Sequence, residues 1–196
     1  MSIPEKAKAH GLTVDKLMLE TDSPLFFGWK DLKPLLGKKG VHNGKLRNKP
    51  LQFITSKRRI GKSTTIARWF LAAYICDGAR YLYIRRTDDL LYSTMHKFFN
   101  QAIKLFNQHF ADVFEIVLFH CETIEGQLTY KICINWKDED YTPVEYTEAG
   151  DKKDISEQRA EELRKKDLKE RSEDCGNALS LKQYEKAKSA GYDGNN

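Results

Sequence analysis

No apolar run in the 196-residue chain approaches the ~20 residues that cross a bilayer as a helix, which argues against a helical membrane protein. The opening residues, MSIPEKAKAHGL, lack the apolar core of a secretory signal, so a reducing cytoplasm is the default setting. Cysteine is sparse. Cys76, Cys121, Cys133 and Cys175 are widely spaced and form no C-x-x-C pair, which disfavours a disulfide scaffold. A zinc site is not expected either. His120-Cys121 is the single close His/Cys pair, and further ligands would have to come from far away in the chain. No internal repeat is visible, which disfavours a solenoid.

The chain has the length of one domain, with 40% hydrophobic and 31% charged residues. Its net charge of +5 is concentrated. Between 29 and 62 lie Lys30, Lys33, Lys38, Lys39, Lys45, Arg47, Lys49, Lys57, Arg58, Arg59 and Lys62, against Asp31 as the only acid. Such an excess favours a polyanionic partner, either nucleotide phosphates or a nucleic-acid backbone. A solvated lysine-rich loop accounts equally well for the part before Leu51.

Residues 1–50 read as a polar lead-in, with a short helical pattern at 14–19, followed by an irregular basic connection broken by Pro24, Gly37 and Gly40. From 51 the pattern changes. The apolar run 51–55 predicts a strand, and 63–78 predicts a buried helix with Ile66, Trp69, Phe70, Ala73 and Tyr74 at helical spacing and Gly78 as its stop. A second strand is expected at 81–84. Thr87 or Asp88 then caps a long helix to about Asn107, with Leu90, Leu91, Met95, Phe98, Phe99, Ile103 and Phe106 on its apolar face. Runs 113–119 and 128–136 predict a hairpin turning at Glu125-Gly126. Residues 151–174 interleave both signs of charge and predict a solvated helix laced with i,i+4 ion pairs. The remainder, 178–196, reads as a tail with a short polar helix. The β-α-β-α order at the front indicates an α/β fold with mainly parallel strands.

The segment Ser56-Lys57-Arg58-Arg59-Ile60-Gly61-Lys62-Ser63 matches G-x-x-x-x-G-K-[ST] except at its first place, where Ser replaces Gly. A loop of this kind wraps phosphates with inward backbone N–H groups. Gly61 permits close approach, Lys62 supplies a fixed positive charge, and Ser63, followed by Thr64, offers a hydroxyl to magnesium. The helix that follows aims its positive end at the same anion. Arg58 is the loop side chain best suited to reach a terminal phosphate, as an arginine finger does.

With these residues in hand, the run 52–91 resembles the ATPase domain of tailed-phage DNA-packaging motors. These are the terminase large subunits and, most closely, the small encapsidation ATPases of podophages. The resemblance rests on the arginine-bearing loop ending I-G-K-S and on a strand ending Tyr83-x-Arg85-Arg86. It is weaker at 113–136 and at 177–194, and it makes 151–174 an insertion. It implies an ASCE-type P-loop fold over 51–196, ATP and Mg2+ as cofactors, double-stranded DNA as cargo, a ring of like subunits at a portal protein, and the host cytoplasm as location. By position, Lys62 and Arg58 take catalytic roles, 56–64 bind nucleotide, Ser63 binds magnesium, and Arg85 and Arg86 face DNA, the nucleotide or a neighbouring subunit.

The acidic partner of such a loop is missing. The expected pattern is four apolar residues followed by Asp-Glu, and no run after Ser63 has it; 116–122 comes nearest. The spacing of Glu139, Asp140, Glu145 and Glu148 nominates none of them. In the resembled family the acidic strand would follow the region like 186–192, so a truncated ATPase domain is expected, binding ATP weakly and hydrolysing it poorly alone. The alternatives are a non-catalytic nucleotide- or DNA-binding remnant, or another P-loop enzyme such as a helicase-like ATPase or a small kinase. The balanced charge of 151–174 does not resemble a kinase lid.

Overall fold

The computed structural model describes residues 1–18, 26–36, 61–124, 127–139 and 156–182, together with the backbone but not the side chains of 92–96. Three short helices open the chain: α1 (Ile3–Ala9), α2 (Val14–Leu17) and α3 (Trp29–Leu32). Helix α4 (Lys62–Asp77) leads to strand β1 (Tyr81–Arg85), and helix α5 (Asp88–His109) leads to strands β2 (Phe114–Ile124) and β3 (Gln127–Trp136). Helix α6 (Glu157–Glu170) and strand β4 (Glu173–Ser180) complete the described elements.

The four strands form one mixed sheet in the order β1-β4-β3-β2. β1 and β4 are parallel, with Tyr81 opposite Gly176 and Arg85 opposite Ser180. The other two pairings are antiparallel. An α/β fold is therefore present, while the expectation of mainly parallel strands holds for one pairing of three among the described residues. The proposed strand 51–55, the turn at 125–126 and the tail from 183 onward lie outside the described residues.

The helices form where the sequence carries both periodicity and caps. α4 starts after Gly61 and stops at Gly78, whose N–H donates to Tyr74 O, a left-handed stop of the common kind. α5 starts at Thr87, whose Oγ1 accepts from Leu90 N at 3.4 Å. Thr87→Ala should lower stability by about 1 kcal/mol, read as a shift in urea midpoint without a change in slope. Along α5, Leu91, Phe99, Ala102 and Phe106 are buried. Leu90, expected on the same face, is 48% exposed because it sits in the first turn, beyond the sheet.

The core is an aromatic layer between the sheet and the α4/α5 pair. Phe99 is its hub, touching Tyr81, Phe98, Phe119 and Tyr130 with centroids 4.7–5.2 Å apart. Tyr81 also stacks on Phe70 of α4 at 5.1 Å. At the opposite end of the core, His10 after α1 stacks on Trp136 at 5.0 Å, and Lys6 donates to Glu139 at 2.6 Å. Glu139 is thus engaged in fastening α1.

Two expectations about the C-terminal part are corrected. The charged helix ends at Glu170, not 174, and residues expected to open a polar tail belong to β4, between β1 and β3. Tertiary pairing overrides the weak strand propensity of EDCGNALS. The start of β4 is held by polar contacts: Tyr74 Oη donates to Glu173 at 3.0 Å, and Lys131 Nζ lies 2.7 Å from Asp174. The ion pairs expected in α6 are present, including Glu161–Lys165 at 2.8 Å and Asp167–Arg171 at 2.7 Å. No residue of α6 is fully buried.

Candidate functional site at the carboxyl ends of the parallel strands

Contacts along α4 place its C-terminal half against the sheet. Tyr74 reaches Glu173 at the start of β4, and Phe70, one turn earlier, stacks on Tyr81. The C-terminal half of α4 therefore lies by the starts of β1 and β4, while Arg68, further back, donates to Leu17 O at 3.3 Å and lies 5.9 Å from the Phe106 ring centroid. Both parallel strands end at Arg85 and Ser180. α5 also begins here, three residues after Arg85. In open α/β sheets this end of the strands is where ligands bind.

Four residues of the sequence-predicted loop are described, at the start of α4. Gly61 has φ +88°, a left-handed conformation that strains any L side chain. A Cβ there would also come 3.5 Å from both the Phe26 ring and Phe27 O. Lys62 and Ser63 are the first two residues of α4; Ser63 is exposed, and Lys62 and Thr64 are half-buried. The first turn of α4 contains no acid, whereas α1, α2, α3, α5 and α6 each carry at least one there. The positive end of this helix is therefore left without an internal counter-charge from its own first turn. Ser56, Lys57, Arg58, Arg59 and Ile60 lie outside the described residues.

Thr65, which the sequence did not single out, donates its hydroxyl to Phe27 O at 2.7 Å. This bond fastens the segment before α3 beneath the first turn of α4. Nothing in the residue pattern signals it, because the partners are far apart in the chain.

The two arginines after β1 separate. Residues alternate faces along a strand, and Tyr81, Tyr83 and Arg85 share the face covered by α4 and α5. Leu82 and Ile84 point the other way, 44% and 39% exposed. Arg85 is half-buried; its Nε donates to Tyr83 Oη at 2.6 Å, and its guanidinium lies 5.0 Å from the Tyr83 ring centroid. Arg86 is exposed.

Asp88, which the sequence presented only as a cap candidate, opens α5 at the same end. Its Oδ1 is shielded from solvent and has no hydrogen-bond partner. A buried carboxylate oxygen without a donor is costly unless something else satisfies it. Across the described residues no cluster of three or more metal-ligating side chains occurs.

No protein-family model matches the chain, and no curated protein or solved structure matches it. Among the described residues, no helix is long and apolar enough to cross a membrane.

Proposed function

We propose that the chain is an ATP-binding P-loop module of the kind that drives viral DNA packaging, with the phosphates seated at the N-terminus of α4. The observation that carries this reading is Gly61. It takes a left-handed conformation directly before Lys62 and Ser63, at the start of a 16-residue helix whose first turn holds no acid. The basic excess between 29 and 62 and the Tyr83-x-Arg85-Arg86 strand end support the packaging lineage. On this reading the assembly acts on double-stranded DNA, in a ring of like subunits at a portal.

On this reading magnesium would bind together with the nucleotide. Ser63 would offer its hydroxyl, and Asp88, with its unpartnered Oδ1, would supply the acidic group that no Asp-Glu strand provides. Bound magnesium would neutralise phosphate charge. Lys62 would hold the phosphates as a fixed cation, and the α4 N–H groups would orient them. Arg58 remains the candidate for stabilising charge on the terminal phosphate.

The test is equilibrium binding of Mg-ATP to the full chain beside Lys62→Ala. Loss of the lysine should weaken binding by about tenfold to a hundredfold, the value of a charge-assisted hydrogen bond. Equal affinity in the two proteins, or none in the parent, would sink the reading. A second reading, a non-catalytic nucleotide- or DNA-binding remnant, is favoured by the lack of an apolar strand ending in Asp-Glu in the sequence. Binding without Mg-dependent turnover would select it. If duplex DNA is the ligand, affinity should fall steeply with salt.

A further inference from the structure

We infer that Arg85 is a phosphate-binding residue of the same site, held in place by Tyr83; this rests on the nucleotide-binding reading above. The sequence left Arg85 and Arg86 equivalent, each able to meet DNA, a nucleotide or a neighbouring subunit. The geometry distinguishes them.

Arg85 is anchored through one end of its guanidinium. Its Nε donates to Tyr83 Oη at 2.6 Å and its plane lies over the same ring at 5.0 Å. Tyr83 is itself fixed, only 7% exposed, with its ring 4.6 Å from Phe98 of α5. The two Nη groups of Arg85 meet no acceptor among the described residues, and no carboxylate there forms an ion pair with it. Asp88 is three residues away, yet its buried Oδ1 has no partner either. A guanidinium presents paired donors suited to the oxygens of a phosphate, and one already immobilised loses less entropy when it binds.

Its position selects the anion. Arg85 ends β1 on the face that carries the aromatic layer, at the carboxyl end of the parallel β1–β4 pair, where open α/β sheets bind ligands. A nucleotide held by Lys62 would have to extend its phosphates to this end of the strands to meet Arg85. Arg86 is exposed and stands outside this arrangement. A duplex surface would need exposed basic side chains, and Arg85 is half-buried in the helical layer. The ligand chemistry is therefore the polyphosphate of a nucleotide.

The experiment measures dissociation constants of the full chain for Mg-ATP and for adenosine, with thermal unfolding of each free protein as a folding control. Arg85→Gln should weaken Mg-ATP binding about tenfold to a hundredfold and leave adenosine binding unchanged. Tyr83→Phe keeps the ring but removes the acceptor for Nε, and should weaken Mg-ATP binding by about threefold to tenfold. Because both act through one guanidinium, the double variant should bind no worse than Arg85→Gln. Should Arg85→Gln not fold, Arg85→Lys retains the charge without the fork and should still bind Mg-ATP more weakly than the parent. Parent-like Mg-ATP affinity in the folded arginine variants, with binding lost in Lys62→Ala, would overturn the role of Arg85 and leave the nucleotide reading intact. Loss of duplex DNA binding alone would overturn it in favour of a DNA contact. Absence of nucleotide binding in the parent would overturn both.

Discussion

Gly176→Ala should unfold or severely weaken the protein, by about 3 kcal/mol or more, as expected for overpacking against rigid neighbours. Gly176 lies in β4, directly opposite Tyr81 of β1. A Cβ there would come 2.5 Å from Tyr81 O and 2.7–2.8 Å from two atoms of the Tyr81 ring. A flexible surface side chain could swing aside, but neither of these groups can. The carbonyl belongs to the backbone of the paired strand. The ring is stacked on Phe70 and packed against Phe99 and Tyr130. Relief would require β4 to separate from β1, and β4 also holds the antiparallel strand β3. The measurement is urea unfolding of the two proteins, with Ala178→Gly as a comparison at another buried position of the same strand. A midpoint within 0.3 M of the parent, estimated as roughly 0.5 kcal/mol over a typical urea slope, would show that β1 and β4 are not paired in this register.

The same residue explains why β4 was not legible in the sequence. EDCGNALS contains a glycine, an asparagine and two acids, the residues that strands avoid. Gly176 is there because Tyr81 fills the space a side chain would take, a reason that exists only after folding. α4 and α5 were legible because their signals are local. Thr87 and Gly78 mark ends, and Leu91, Phe99 and Phe106, all expected on the apolar face of α5, are buried. The hairpin was legible from its two apolar runs, though β2 continues to Ile124, beyond the expected 119. α1 also carries a local start signal, Ser2 followed by Glu5, whose Oε2 accepts from Ser2 N at 2.7 Å.

The candidate site divides in the same way. Gly61, Lys62 and Ser63 form a contiguous string whose chemistry can be read before folding. Asp88 and the Tyr83–Arg85 pair cannot be read so directly. Their relation to that string depends on tertiary packing, because α4 and the end of β1 are separate elements 20 or more residues apart in the chain. The sequence places Arg85 and Arg86 side by side, and only strand alternation sends the first into the helical layer.

Raising the pH should unfold this protein from about pH 9 upward, and steeply. Burial pushes the Cys76 and Cys175 thiols up to about 12 and the Cys121 thiol to about 11, from an ordinary value of 9.0. Burial also raises the phenols of Tyr74, Tyr81 and Tyr130 above their ordinary 10.0. Each of these groups is neutral when protonated and keeps its proton longer in the folded state. Below pH 9 the two states bind the same number of these protons, so stability is flat in this respect. Above it the unfolded chain releases thiol protons that the folded chain retains, and folding is disfavoured. Each group so affected removes about 1.4 kcal/mol per pH unit until its folded value is reached. Cys175 is the best placed to dominate, because its Sγ donates to Tyr130 O at 3.5 Å and lies 3.5 Å from Tyr81 Oη within the core. Urea midpoints should be level between pH 7 and 8.5 and fall progressively from pH 9 to 11. Cys76→Ala should make the fall shallower by about one proton's worth. In parallel, thiol labelling of the folded chain at pH 8 should be far slower than in denaturant. A midpoint unchanged to pH 11, with rapid labelling of all four cysteines in the folded protein, would show that the thiols lie in water and that the aromatic layer does not close over β4.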